Sequence, residues 1–214
     1  MAKQFNPFQH IQKLTSDDDY FLMFPNFLEL MEKWKGIIQR ASTQTVPLHN
    51  ILLNGKPHNE TYEIRKEFYD NQEIAYIFDV IKAGEWVQEH LEAEQLNVSE
   101  YQKFIFKDEL KRGKEKENKK SPIIFVQYEQ QLINGNHRMT EAYEKGVKFQ
   151  EGFVVLNNIY IDWMITDYMK RVYQLNQDID NIHLYLNKKE QGHQLQWDEE
   201  EFTNRFLHIS KLDY

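Results

Sequence analysis

The sequence contains no cysteine, so it forms no disulfide and offers neither a thiolate nucleophile nor a cysteine zinc site. It has only 5 prolines and 8 glycines in 214 residues, which predicts long elements joined by few tight turns. No apolar run approaches the roughly 20 residues that cross a bilayer, and Met1–Leu14 lacks the apolar core of a signal peptide. These absences predict a cytoplasmic protein with no membrane partner.

Several motifs of enzyme chemistry are also missing. The 8 histidines form no His-Glu-x-x-His or other compact ligand pattern, so the sequence predicts no metal site of its own. There is no Gly-x-Ser-x-Gly and no Walker loop. The sequence therefore gives no support to a nucleophilic hydrolase or to a nucleotide site of the Walker type.

The composition is that of a folded, acidic protein. Hydrophobic residues make up 41% of the chain and the net charge is −8, which argues against broad nonspecific binding to DNA or anionic membranes. The basic stretch Lys111–Lys120 is the local exception. It is interpreted either as a solvated connection or as a loop that contacts nucleic acid. Its glutamates and its lack of aromatic residues favour the solvated connection.

Hydrophobic spacing predicts an α+β fold. The predicted elements are, in order, an amphipathic helix after Asp17–Asp19 that is interrupted at Pro25, a strand over 46–53, a helix over 63–82, helical segments within 86–110, a hairpin over 123–133 that turns at Glu129-Gln130, a helix over 137–145, a strand over 153–156, and helices after Asn157, the last of which starts near Asp198.

The most informative motif is the turn Gly135-Asn136-His137-Arg138, between the apolar run Ile123–Val126 and a helical pattern. Glycine permits a positive φ or a close approach to a ligand. The first turn of a helix offers N–H groups and the positive end of a dipole, to which His137 and Arg138 add side-chain donors. This combination suits an anionic group such as a phosphate. The alternative is an ordinary turn followed by solvated residues at a helix start.

The longer pattern around this turn resembles the ParB/sulfiredoxin superfamily. Pro122–Val126 is similar to the family's Pro-Ile strand, and Leu132–Arg138 is similar to its Gly-x-x-Arg loop. Ala142 and Gly146 fall where the family's following helix has an alanine and a glycine. The His-Arg pair is more similar to the sulfiredoxin and free-serine-kinase members than to the chromosome-partitioning members. The absence of cysteine nevertheless excludes the sulfiredoxin reaction.

A second block extends the resemblance. Val46–Asn54 is similar to the first strand of the family, and Arg65 and Phe68 follow where the family has an arginine and an aromatic residue. In the family the next helix leads almost directly into the Pro-Ile strand, so residues 85–121 would be an insertion here. The resemblance implies a small mixed sheet with additional N-terminal, inserted and C-terminal helices.

This resemblance also implies a division of the chain and a ligand. Residues 1–45 would be an N-terminal helical segment, 46–156 the core with the insertion 85–121, and 157–214 a C-terminal helical segment. The ligand would be a nucleoside triphosphate, CTP or ATP, with Mg²⁺ bound through its phosphates. The residues implied in phosphate binding are Gly135, Asn136, His137, Arg138 and Arg65. Glu60 is the candidate catalytic base of an NTPase or kinase.

A second hypothesis is a non-catalytic phage or mobile-element protein that keeps the fold and binds a partner or associates with DNA. DNA is a possible partner that the net charge does not support. In chromosome-partitioning proteins a helix-turn-helix domain and a dimerisation region follow the nucleotide domain. The segment after Asn157 is too short for both, which makes partitioning-type DNA sliding a poor expectation.

Overall fold

The computed structural model describes residues 3–16, 19–43, 52–53, 56–57, 61–68, 72–105 and 121–212. These residues form helices and small sheets, which confirms the predicted α+β class. Within these ranges no helix is both long enough and apolar enough to cross a membrane.

The helices are α1 Pro7–Ser16, α2 Asp19–Leu22, α3 Phe27–Ser42, α4 Val80–His90, α5 Val98–Tyr101, α6 Asn136–Glu144, α7 Asp167–Glu190 and α8 Glu199–Phe206. The strands are β1 Lys3–Gln4, β2 Leu52–Leu53, β3 Lys56–Pro57, β4 Thr61–Phe68, β5 Gln72–Asp79, β6 Glu94–Asn97, β7 Ile124–Val126, β8 Gln131–Asn134 and β9 Phe149–Val155.

The chain divides into two compact units, each assembled from segments that are distant in sequence. The first unit comprises Met1–Asn50, Arg65–Tyr76 and Thr166–Tyr214. The second comprises Ile51–Ile64 and Ile77–Ile165. The motif of greatest interest, residues 135–138, belongs to the second unit.

In the first unit α3 packs against the long helix α7. The predicted interruption at Pro25 is confirmed, because α2 ends at Leu22 and α3 begins at Phe27. The intervening Asn26 has φ 59°, a left-handed conformation that asparagine tolerates better than most residues. The predicted last helix is also confirmed: Asp198 caps α8 by accepting a hydrogen bond from the Glu201 N–H.

A fully buried carboxylate, that of Asp178 on α7, connects three parts of the first unit. It accepts hydrogen bonds from Trp34 Nε1 on α3 at 3.1 Å and from the His208 and Ile209 N–H groups at 2.6 and 3.0 Å. Burial raises the pKa of Asp178 to about 7, and these three donors oppose the rise. Beside it, His208 Nε2 lies 2.7 Å from Gln177 Oε1, and burial lowers the pKa of His208 to about 4.

The second unit contains a mixed four-stranded sheet in the order β6-β9-β7-β8. Strand β9 pairs antiparallel with β6 and parallel with β7, and β7 pairs antiparallel with β8. The hairpin and the helix predicted over 123–145 are confirmed as β7, β8 and α6. A core of apolar side chains lies between this sheet, α5 and α6; its buried members are Leu96, Val98, Ile123, Phe125, Leu132, Met139 and Ala142.

The helix predicted over 63–82 is wrong, because β4 and β5 occupy this region and helix begins only at Val80. The spacing of Ile74, Ile77 and Phe78 matches a helical period. The structure follows a period of two instead, since Ile74, Tyr76 and Phe78 are all buried. A period-two pattern places these side chains on one face of a strand.

The expectation that the inserted region 85–121 is helical and lies outside the sheet is wrong in one part. Helix α4 ends at His90, and β6 then joins the sheet in the register Glu94↔Gly152. The inserted region therefore contributes an edge strand to the sheet rather than packing wholly outside it. Lys111–Lys120 lies outside the described residues, as does most of the strand predicted over 46–53, of which only Leu52–Leu53 is described.

We expect His208 to contribute stability that is lost in acid. Its folded pKa of about 4 lies below the unfolded value of 6.5, so unfolding takes up a proton between these values and stability falls as pH falls through this window. Burial also lowers the pKa of His10 to about 4, so His10 acts in the same direction. Asp178 acts in the opposite direction: because its folded pKa is raised, its contribution to the stability of the protein falls as pH rises from about 4 to about 7.

The His208→Gln variant retains an amide that can donate to Gln177 and removes the titrating ring. Urea unfolding at pH 4.5, 5.5 and 6.5 measures the effect. The increase in unfolding free energy with pH should be smaller in the variant than in the parent. Parallel pH profiles would show that His208 does not titrate as its burial requires.

Candidate functional site

The turn between β8 and α6 is built around Gly135, which has φ 85° and ψ 17°. The first helical hydrogen bond runs from the Met139 N–H to the Gly135 carbonyl at 2.9 Å. The N–H groups of Asn136, His137 and Arg138 therefore precede the helical hydrogen-bond ladder. No side chain of the N-cap position closes this end, and the first turn contains no acidic residue. The start of α6 is thus a positive helix end without the usual capping carboxylate or hydroxyl.

Gly135 is required by packing as well as by its dihedral angle. A Cβ at this position would lie 2.5 Å from Ile123 Cγ1 and 3.1 Å from Ile123 Cα, which is closer than side chains approach. A positive φ adds a strain that L residues rarely accept. The sequence predicts that Gly135 is needed either for a close approach to a ligand or for a positive φ. In the structure φ is positive, and the group that approaches closely is Ile123 of the same unit.

Asn134, the last residue of β8, holds this turn against the segment that enters β7. Its Nδ2 donates to Ser121 Oγ at 2.7 Å and to the Pro122 carbonyl at 2.6 Å. Its Oδ1 accepts from the Gly135 N–H at 2.9 Å. Sequence analysis did not assign a role to Asn134. An asparagine directly before a turn glycine is a recognised turn signal, but its partners 12 and 13 residues earlier are set by the fold.

The side chain of Asn136 faces the hairpin and is 8% exposed. Its Nδ2 donates to the Leu132 carbonyl at 3.0 Å, while its Oδ1 is buried and has no hydrogen-bond partner among the described residues. An amide oxygen cannot donate to a phosphate. The side-chain Nδ2 is engaged with the Leu132 carbonyl, and the backbone N–H is the donor that Asn136 contributes at the free end of the helix.

His137 and Arg138 are both partly exposed in the first turn of α6. The Nε and Nη2 atoms of Arg138 are buried, and Nη2 lies 3.1 Å from the point that a Cβ on Gly135 would occupy. The guanidinium is therefore folded against the turn. The guanidinium and the positive end of the helix lie on the same turn, and an anion is electrostatically complementary to both.

Of the other two predicted site residues, only Arg65 is among those that the structure describes. Arg65 lies on β4 within the first unit, and its Nη1 is 3.3 Å from Glu73 Oε1 on β5. Glu60 lies outside the described residues. The consecutive residues 135–138 are thus brought together by local geometry, whereas the roles of Arg65 and Glu60 stay predictions from the resemblance.

The described residues contain no group of three histidine, aspartate or glutamate side chains that could hold a metal ion. Comparison of the chain with known protein families, with curated proteins and with solved structures gave no match. The resemblance to the ParB/sulfiredoxin superfamily therefore stays a prediction that depends on the motifs of residues 122–126 and 132–138.

We expect Gly135→Ala to lower the free energy of unfolding by about 2–5 kcal/mol, the sum of left-handed strain and overpacking against Ile123. Gly146→Ala is the matched control. Gly146 ends the same helix with φ 68°, but a Cβ there has nothing within 4 Å. Gly146→Ala should therefore lower the free energy of unfolding only by the left-handed strain, about 1–2 kcal/mol. Urea unfolding compares the two, and equal losses would contradict the packing role of Ile123.

Proposed function

We propose that this protein binds a nucleotide, with the phosphates at the start of α6 and the turn Gly135–Arg138 as their binding loop. The observation that carries the proposal is an uncapped positive helix end that has Arg138, and no acidic residue, in its first turn. At such sites phosphate oxygens accept hydrogen bonds from backbone N–H groups and from guanidinium groups.

The resemblance to the ParB/sulfiredoxin superfamily supports a nucleotide rather than a simple anion. It favours CTP or ATP with Mg²⁺ that is carried mainly by the phosphates and water. In this arrangement the N–H groups of Asn136, His137 and Arg138 contact phosphate oxygens. Arg138 adds one charge-assisted contact, whose contribution is about 1.5–3 kcal/mol.

The proposal concerns binding first and turnover second. An NTPase or kinase needs, in addition, a carboxylate that orients or deprotonates the nucleophile. The resemblance offers Glu60 for that role and Arg65 as a further phosphate ligand. If the protein binds a nucleotide but does not turn it over, the proposed nucleotide site stands and the proposed NTPase or kinase activity is rejected.

We expect Arg138→Ala to weaken nucleotide binding by about 10- to 100-fold, the equivalent of one charge-assisted hydrogen bond. Isothermal titration with CTP, ATP and GTP, each with Mg²⁺, measures the affinity, and circular dichroism shows whether the variant is folded. Arg138→Gln provides a second variant that retains hydrogen-bond donors without the charge.

The matched control for this titration is Lys145→Ala, which removes one positive charge just past the C-terminal end of the same helix. Lys145 pairs with Glu141 there and should leave the affinity unchanged. Two results would reject the proposal: failure of all three nucleotides to bind the parent protein, or equal affinity in the parent and the Arg138 variants. In the first case the non-catalytic interaction protein becomes the better hypothesis.

A further inference from the structure

A second candidate site lies in the first unit, in a cleft between α7 and α8 that we call the α7–α8 cleft. Helix α7 contributes Leu184, Tyr185 and Lys188, and α8 contributes Phe202 and Phe206. The segment 194–197, which joins the helices, closes one side with Trp197. The volume of the cleft is about 390 Å³, within the range of small-molecule sites.

Aromatic rings form a continuous lining in this cleft. The ring centroids of Tyr185 and Phe202 are 4.5 Å apart, and those of Trp197 and Phe206 are 4.7 Å apart. Tyr185 and Phe202 are buried and form the base. Leu184 and Phe206, at 56% and 38% exposed, form an apolar rim that a ligand could cover. Covering such a rim removes apolar surface from water and is favourable.

The charge of the lining distinguishes between possible ligands. Among the described residues that line it, Lys188 is the only cation and none is a carboxylate; the Glu199 carboxylate lies beside the lining, next to Tyr185. The next residue, Lys189, pairs with Glu199 at 2.6 Å, and this contact raises the pKa of the Lys189 ammonium. No such pairing with a described residue is present for Lys188, which is exposed at the cleft. The polar remainder consists of the neutral amides of Asn181, Gln194 and Gln196.

We propose that the α7–α8 cleft binds a small apolar carboxylic acid, with its hydrocarbon or aromatic body against the rings and its carboxylate at Lys188. The apolar walls provide most of the buried area. The single ammonium provides the preference for an anion, and the amides can donate further hydrogen bonds to the carboxylate oxygens. This site is separate in sequence from the turn at Gly135, and the proposal for it does not rest on nucleotide binding.

The test uses 3-phenylpropanoate and its neutral isostere 3-phenylpropanamide, titrated into the full chain by ligand-observed saturation-transfer NMR. The carboxylate should bind about two- to fivefold more tightly than the amide, as expected of one solvent-exposed ion pair. Lys188→Met should abolish this preference while both probes still bind. Lys145→Met, which removes one lysine charge just past the C-terminal end of α6 in the second unit, is the control and should retain the preference.

A second variant tests the apolar part of the site. Leu184→Ser, at a largely exposed position, should weaken both probes by a similar factor without changing the melting temperature appreciably. The proposal would be overturned if neither probe binds at millimolar concentration, if Lys188→Met keeps the carboxylate preference, or if Leu184→Ser leaves both affinities unchanged. Arg138→Ala should leave probe binding unaffected, so that this result is independent of the nucleotide site.

Discussion

The second unit depends on the close packing of Pro122 and Ile123 among three glycines. A Cβ on Gly135 would lie 2.5 Å from the Ile123 side chain, and one on Gly152 of β9 would lie 3.1 Å from both Cβ and the carbonyl oxygen of Ile123. On the other side, a Cβ on Gly84 of α4 would lie 3.4 Å from the Pro122 ring. The start of β7 therefore lies where a helix, a strand and a turn all approach closely. A side chain at Gly135 or Gly152 would force its neighbours apart, whereas a Cβ at Gly84 would make ordinary contact with Pro122.

This packing has a direct consequence for the candidate phosphate site. Because Ile123 and the Asn134 side chain hold the turn on both sides, the N–H groups of Asn136, His137 and Arg138 are oriented before any ligand arrives. A preformed site loses little conformational freedom on binding. The same contacts explain why a substitution at Gly135 tests the fold of the turn, whereas a substitution at Arg138 tests the proposed ligand contact.

Local signals were sufficient for some parts of the structure and insufficient for others. The hairpin and α6 could be predicted because a short helical pattern lies between Gly135 and Gly146. Both residues have the positive φ that favours glycine. Strand β5 could not be predicted, since Ile74, Ile77 and Phe78 match a helical period while Ile74, Tyr76 and Phe78 match a period of two, and only the sheet selects between them. The glycine turn itself could be predicted, and its role as an anion site stays a prediction, whereas the contacts of Ile123 and Asn134 arise from long-range packing.

The most direct test of the account is a ¹H–¹⁵N correlation spectrum of the protein, titrated with CTP and ATP in the presence of Mg²⁺. The account predicts that the largest amide shifts occur at Asn136, His137 and Arg138, where N–H groups would donate to phosphate oxygens, and that Lys145 and Gly146 at the other end of α6 change little. Saturable shifts that leave residues 136–138 unmoved, or no shifts at all, would contradict the assignment of this helix start as a phosphate site.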